Sequence, residues 1–167
     1  MAGKLKVAAV GAGYFSQFQY QGWRNMDAVE MVALTNRDQE KGRAIAARYG
    51  VPKVYGRVEE MLDAEQPDLL DIITTPATYR DYIAAAAARC ITVICQKPFG
   101  RSFNEALELA QIAEKSGVAL IVHENFRWQP WYREAKRLIA GGRLGALHSV
   151  AFRLRPGDGQ GAQLEPA

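Results

Sequence analysis

A doubly wound α/β domain built on a parallel sheet is the fold class this sequence predicts, followed by the start of a second, incomplete C-terminal α/β domain. Three observations predict it. Short β-branched runs alternate with longer helix-patterned segments from the first residues to about Val122, and strands that alternate with helices need right-handed crossovers, hence a parallel sheet covered on both faces. Of the 167 residues, 49% are hydrophobic and 23% charged, a balance that allows a full core. After Val122 the pattern gives way to one polar-aromatic stretch, one helix and one strand, too little to bury an apolar face of its own.

The strands are expected in "KVAAV", "EMVALT", "KVY", "LLDIITT", "ITVICQ" and "VALIV". Lys4 and Lys6 before "VAAVGAGYF" loosely imitate a signal peptide, but the apolar run is short and holds two glycines, so it reads as mature structure. A helix over about Gln39–Tyr49 follows Asp38 and ends at Gly50, with Pro52 beyond, the usual order of helix punctuation. The alanine run Ala84–Ala88 favours helix. Ser102 and Glu105 have capping-box spacing, Phe103, Ala106, Ala110 and Ala113 mark an apolar face, and Gly117 stops that helix. Past "HENFRWQP", the segment "WYREAKRLIAGG" reads as an amphipathic helix closed by glycines. "LHSVAFRLR" reads as one alternating strand, and "PGDGQGAQLEPA" as turn and linker. No stretch approaches the ~18 to 20 apolar residues of a membrane-spanning helix.

Charge and cysteines narrow the partners. Lys and Arg number 21 against 18 Asp and Glu, a net +3, and the basic residues are scattered, so neither a nucleic-acid nor a membrane partner is expected. Cys90 and Cys95 are too few for a disulfide framework, and no His or Cys stands at zinc-ligand spacing. Two reduced, half-buried thiols in a cytoplasmic protein without a bound metal are expected.

The first strand runs into "VGAGYFS", where Gly11 and Gly13 match the first two positions of G-x-G-x-x-G and Ser16 the third. The first glycine makes a tight turn, the second lets a pyrophosphate approach the backbone at a helix N-terminus, and the third serves helix packing, a role serine nearly fills. In a strand–turn–helix context this predicts a Rossmann-type dinucleotide site. Asn36 lies 25 positions after Gly11, near the ~20-residue spacing of a ribose-binding acid. An amide there removes repulsion against a 2′-phosphate and Arg37 offers it a cation, which favours NADP over NAD. Strand order would bring "TTPATYR" and "CQKP" to the same crevice, so Thr75 and Pro76 line it and Lys97 projects into it. An ammonium there can orient a substrate oxygen and stabilise negative charge developing on it.

In order along the chain, "VAAVGAGYFS", "VALTNRDQEKGRAIAARYGV", "DIITTPATYR", "VICQKPFG" and "NFRWQPWYREAKRLIAGGRLGALHSV" resemble the Gfo/Idh/MocA oxidoreductases. The resemblance implies a Rossmann domain over residues 1–122, an NAD or NADP cofactor and, beginning in residues 123–167, a C-terminal domain that supplies the substrate site and the oligomer contact. It makes Lys97 the active-site lysine, since "CQKP" resembles the family's E-K-P motif. Gly11, Gly13, Tyr14, Phe15, Asn36, Arg37, Thr75, Pro76, Gln96, Lys97 and Arg127 then count as cofactor-binding residues. The implied substrate is a sugar, cyclitol or related polyol, and the full-length form a homo-oligomer. Three residues depart from the pattern: Gln96 stands for a glutamate, Arg80 for a histidine and Cys90 for a helix-ending glycine. Family members also continue for well over another hundred residues, so neither His123 nor His148 takes the family's catalytic histidine role. Competing readings are a non-enzymatic dinucleotide-binding module or redox sensor, and an interaction protein that pairs through "LHSVAFRLR".

Overall fold

Every side chain from Val7 to Val10 is buried in β1 (Leu5–Val10), as expected of a strand covered on both faces. In the computed structural model, which describes residues 3–153, β1 pairs in parallel with β2 (Val29–Thr35) and with β4 (Leu69–Ile72). With β3 (Val54–Tyr55), β5 (Thr92–Gln96) and β6 (Leu120–His123) the order is β3-β2-β1-β4-β5-β6. The chain works outward from β1 to β3, then crosses back to β4. Such a reversal leaves a crevice beyond the carboxyl ends of the two neighbouring strands.

Five helices cover this sheet: α1 (Ser16–Arg24), α2 (Gln39–Tyr49), α3 (Val58–Glu65), α4 (Tyr79–Ala87) and α5 (Phe103–Lys115). One apolar core gathers Val10, Leu70, Ile72, Ile83, Val93 and Leu109, and a second holds Ala9, Tyr20, Leu34, Ala46 and Ile73. A fully buried Leu or Ile contributes about 1.5–3 kcal/mol of transfer free energy, so these clusters are the main favourable term of the fold.

Local signals act where they stand in the chain. Asp38 accepts from the N–H groups of Glu40 and Lys41, and Gly50 closes α2 in the left-handed region. Ser102 Oγ accepts from Glu105 N–H at 3.2 Å, whereas the Glu105 carboxylate reaches the Arg101 N–H and guanidinium. The capping box therefore closes one residue early.

Three expectations are corrected. "LLDIITT" is strand only to Ile72, because the chain then turns and Pro76 opens a 3₁₀ turn over Pro76–Thr78. The apolar face of α5 runs through Leu109 and Ala113, with Ile112 packed beside them, whereas Phe103 is 80% exposed and Ala110 is exposed. Of "LHSVAFRLR", residues 147–153 form no strand, since a lone strand has no partner for its backbone donors and acceptors.

By internal contacts the chain divides after Glu124; the sequence pattern put the change two residues earlier. The second unit begins with a 3₁₀ turn over Phe126–Trp128 and α6 (Pro130–Ala140), opened by proline and followed by Gly141 and Gly142. None of the α6 residues is buried. Val150 and Phe152, expected to lack a cover, are exposed, while Leu154 lies outside the described residues. Among the described residues no helix is long and apolar enough to cross a membrane.

Candidate functional site

The glycine turn follows β1 and is fixed from three sides. Gly11 has φ +116, and a Cβ there would meet the Ile73 carbonyl oxygen at 2.4 Å. Backbone of that hand and that proximity admits only glycine. Its N–H donates to Thr35 O at 2.9 Å, and its carbonyl accepts from the buried Tyr20 hydroxyl at 2.9 Å. Burial, then the nearby Asp71 charge, pushes the Tyr20 phenol well above its ordinary range, so Tyr20 stays a donor. β2, β4 and α1 thus clamp one residue.

Gly13 has open space where a Cβ would stand. Ser16, buried, donates from Oγ to Gly13 O at 2.7 Å. The serine at the third motif position closes the turn with a bond that glycine could not make. No side chain caps α1; at its start the Ser16 N–H donates to Gly13 O at 3.0 Å and the Phe18 N–H to Phe15 O at 3.2 Å. An uncapped helix start beside an open glycine is the cradle a pyrophosphate requires, and these residues fit a dinucleotide.

Asn36, just past β2, accepts from Ala12 N–H on Oδ1 at 3.0 Å and donates from Nδ2 to Asp38 O at 2.7 Å. It therefore ties the glycine turn to the end of β2, a structural duty invisible in its spacing. Arg37 beside it is exposed and forms no ion pair among the described residues. Beyond β4, Thr75 is exposed and its carbonyl accepts from Thr78, while Pro76 is half-buried.

At the end of β5, Gln96 Oε1 accepts from the Lys97 N–H at 3.0 Å, and the Lys97–Pro98 peptide bond is cis. Lys97 is exposed, with Nζ 5.5 Å from the centroid of the Phe15 ring. Tyr14 and Phe15, both exposed, pack edge-on at 5.4 Å. The fold therefore brings the glycine turn and Lys97 together at one edge. Arg127 belongs to the second unit, exposed and stacked 5.2 Å from the Trp128 ring.

Sequence reasoning passed over Asp71 and Trp23. Asp71 is buried at mid-strand in β4, and its Oδ2 accepts from Trp23 Nε1 at 2.7 Å. Burial raises its carboxyl to about 6 against the opposing pull of that hydrogen bond. An acid inside "LLDIITT" is a signal that was available, since a strand buried on both faces has no solvent for it. The cysteines also differ from the expected half-buried pair. Both are unpaired, but Cys90 is exposed and Cys95 buried, its thiol pushed up to about 12 by burial and then by Asp71. His123 Nδ1 lies 3.3 Å from Gln19 Nε2, and His148 is exposed outside any helix or strand.

Residues 5–124 match the family described as "Oxidoreductase family, NAD-binding Rossmann fold". The chain is 39% identical over 152 residues to D-apiose dehydrogenase of Paraburkholderia graminis, covering 90% of this chain and 40% of that one. It is 33% identical over 132 residues to D-xylose 1-dehydrogenase (NADP(+)) 2 of Haloferax volcanii, covering 78% and 40%. An oxidoreductase from Agrobacterium radiobacter, solved with NAD+, L-tartaric acid and magnesium, superposes with TM-score 0.82 at 31% identity over 86% of this chain and 42% of that chain. The chain thus spans about 40% of the length of the curated relatives it matches.

Proposed function

The chain belongs to the Gfo/Idh/MocA oxidoreductase family, whose NAD-binding Rossmann fold it carries, and from that premise we propose that it binds NADP or NAD for hydride transfer to or from a sugar, cyclitol or related polyol. The observation that carries the reading is the clamped glycine turn, open over Gly13, at the same sheet edge as Lys97. The sugar dehydrogenases among its relatives support the substrate class.

The bound cofactor would supply the hydride acceptor or donor in its nicotinamide ring. The remaining tasks fall to side chains and backbone. The turn from Gly11 to the start of α1 takes the pyrophosphate, with Gly13 leaving room for its approach and Tyr14 and Phe15 flanking it. Asn36 and Arg37 take the adenosine ribose, and Thr75, Pro76 and Gln96 line the crevice. Lys97 orients the reacting hydroxyl or carbonyl with its N–H donors and stabilises negative charge on that oxygen. Proton transfer is assigned to no histidine here, since His123 is engaged with Gln19. Unpaired thiols at Cys90 and Cys95 support a reducing, cytoplasmic setting, and the full-length protein is proposed to be a homo-oligomer.

NADP is preferred because Asn36 brings no carboxylate and Arg37 forms no ion pair among the described residues. Fluorescence titration of NADH and NADPH against wild type and Asn36→Asp tests this. The carboxylate should lower the NADPH-to-NADH affinity ratio about tenfold, the effect of ~1.4 kcal/mol of like-charge repulsion. Because Asp also loses the donor to Asp38 O, the ratio and not either affinity is the readout. Wild type that binds NADH tenfold more tightly than NADPH overturns the preference, and wild type that binds neither overturns the function.

A further inference from the structure

Lys97 sits where the family pattern places a carboxylate beside the lysine, yet Gln96 is neutral. Its side-chain oxygen is bound by the Lys97 backbone N–H at 3.0 Å, so it fixes the backbone and not the ammonium. Among the described residues no carboxylate lies within ion-pair distance of Lys97. Its ammonium instead stands 5.5 Å from the centroid of the Phe15 ring. That ring is itself braced, edge-on to Tyr14 at 5.4 Å and tilted against Phe18 at 6.2 Å.

We propose that Phe15 is a positioning residue that seats the Lys97 ammonium in place of an acidic partner. The inference rests on the reading of Lys97 as the group that meets substrate oxygen. An aromatic face attracts an ammonium through its quadrupole, but it carries no charge and takes up no N–H donor as a carboxylate would. All three N–H donors are left for a ligand. A carboxylate in the same place would hold the lysine and also neutralise it. Gln96 and Phe15 thus divide the labour between backbone and side chain.

The test compares wild type with Phe15→Leu, which keeps bulk and loses the ring face, and Phe15→Tyr, which keeps both. The Lys97 ε-methylene proton signal, identified by its disappearance in Lys97→Arg, should lie upfield of the other lysines in wild type from the ring current. It should return to their range in Phe15→Leu and remain upfield in Phe15→Tyr. Acylation of Lys97 by a succinimidyl ester, followed by mass spectrometry, should run about two- to five-fold faster in Phe15→Leu and near the wild-type rate in Phe15→Tyr. A Lys97 signal among the other lysines in wild type, or one unmoved by Phe15→Leu, overturns the proposal. NADH and NADPH titration of wild type judges the functional reading separately: an upfield Lys97 with no dinucleotide binding keeps the seat and discards the function.

Discussion

The two edges of the sheet are made from the same strands, yet the glycine turn at one treats charge and strain differently from the other. At the carboxyl edge Arg57, Arg80 and Arg101 pair with Glu59, Glu108 and Glu105, but around the glycine turn Arg37 and Lys97 have no carboxylate partner among the described residues and Gly13 faces open space. At the amino edge Arg89 grips Asp63 through two nitrogens, Lys53 pairs with Glu65, and the Asp68 carboxylate accepts from the Lys6 N–H. The Arg89 bonds hold the Asp63 carboxyl below its usual range, and bonds from Tyr55 and Lys53 do the same for Glu65. Strain divides likewise. Gly11 meets backbone at an impossible distance for a Cβ, whereas the amino edge carries two non-glycine residues at positive φ, Gln66 and Cys90, lining a cavity of about 470 Å³. Left-handed backbone costs a side chain about 1–2 kcal/mol, which a fold tolerates in open space and not against a carbonyl. The glycine turn leaves its cations and its open space to a ligand, whereas the charges of the amino edge pair within the chain.

Gly11→Ala should break the contrast most severely. A Cβ held 2.4 Å from Ile73 O at φ +116 combines overpacking with the wrong backbone hand, so unfolding free energy should fall by about 3 kcal/mol or more. Dinucleotide binding should vanish in the protein that still folds. Urea melts and an NADH titration check this, and a stable variant that binds normally would show that the turn can relax.

Asp71, midway between the edges, should link stability to pH. Its carboxyl is raised from 3.8 to about 6 in the folded protein. The folded state therefore binds the proton more tightly than the unfolded chain. The stabilisation is full below about pH 4 and is lost as pH rises through about 6. The paired carboxylates of Asp63 and Glu65 act with the opposite sign, since theirs is lost as pH falls. Asp71→Asn should therefore gain on wild type by about 2–3 kcal/mol between about pH 4 and pH 8. The slope of that difference in chemical denaturation is decisive, because any change in the Trp23 hydrogen bond offsets both ends equally. A flat difference would mean that Asp71 is not buried as a lone acid.

The smallest effect is expected at the amino edge. Cys90→Gly relieves a left-handed side chain at φ 58 and should stabilise by about 0.5–1 kcal/mol, since added freedom in the unfolded chain cancels part of the relief. NADH affinity should not change, which the same titration reads. A loss of binding would mean that the two edges are coupled through the sheet.

How much of this was legible follows the range of the forces. Asp38, Gly50 and Ser102 act on backbone within a few residues, so their helix ends stand where the sequence put them. The strand order obeys a rule of handedness that an alternating pattern already implies. Phe103 misled because helical spacing admits several stripes, and only the docking of α5 on the sheet chose Leu109 and Ala113. Residues 147–153 misled for the same reason: an alternating pattern needs a neighbouring strand to become one.

The sequence by itself determined the α/β class, the glycine turn and the lysine after the fifth strand, since each depends on residue type and local order. Tertiary structure decided what those residues touch. Asn36 spans 24 positions to bind Ala12 N–H, and Tyr20 reaches back to Gly11. Trp23 meets Asp71 across 48 positions, and the Phe15 ring before α1 meets the Lys97 ammonium just past β5. Such contacts join residues far apart in the chain, and no periodicity encodes them. They exist because packing a parallel sheet brings every carboxyl strand end to one side, where backbone donors and buried polar groups must find partners from elements the sequence lists far away.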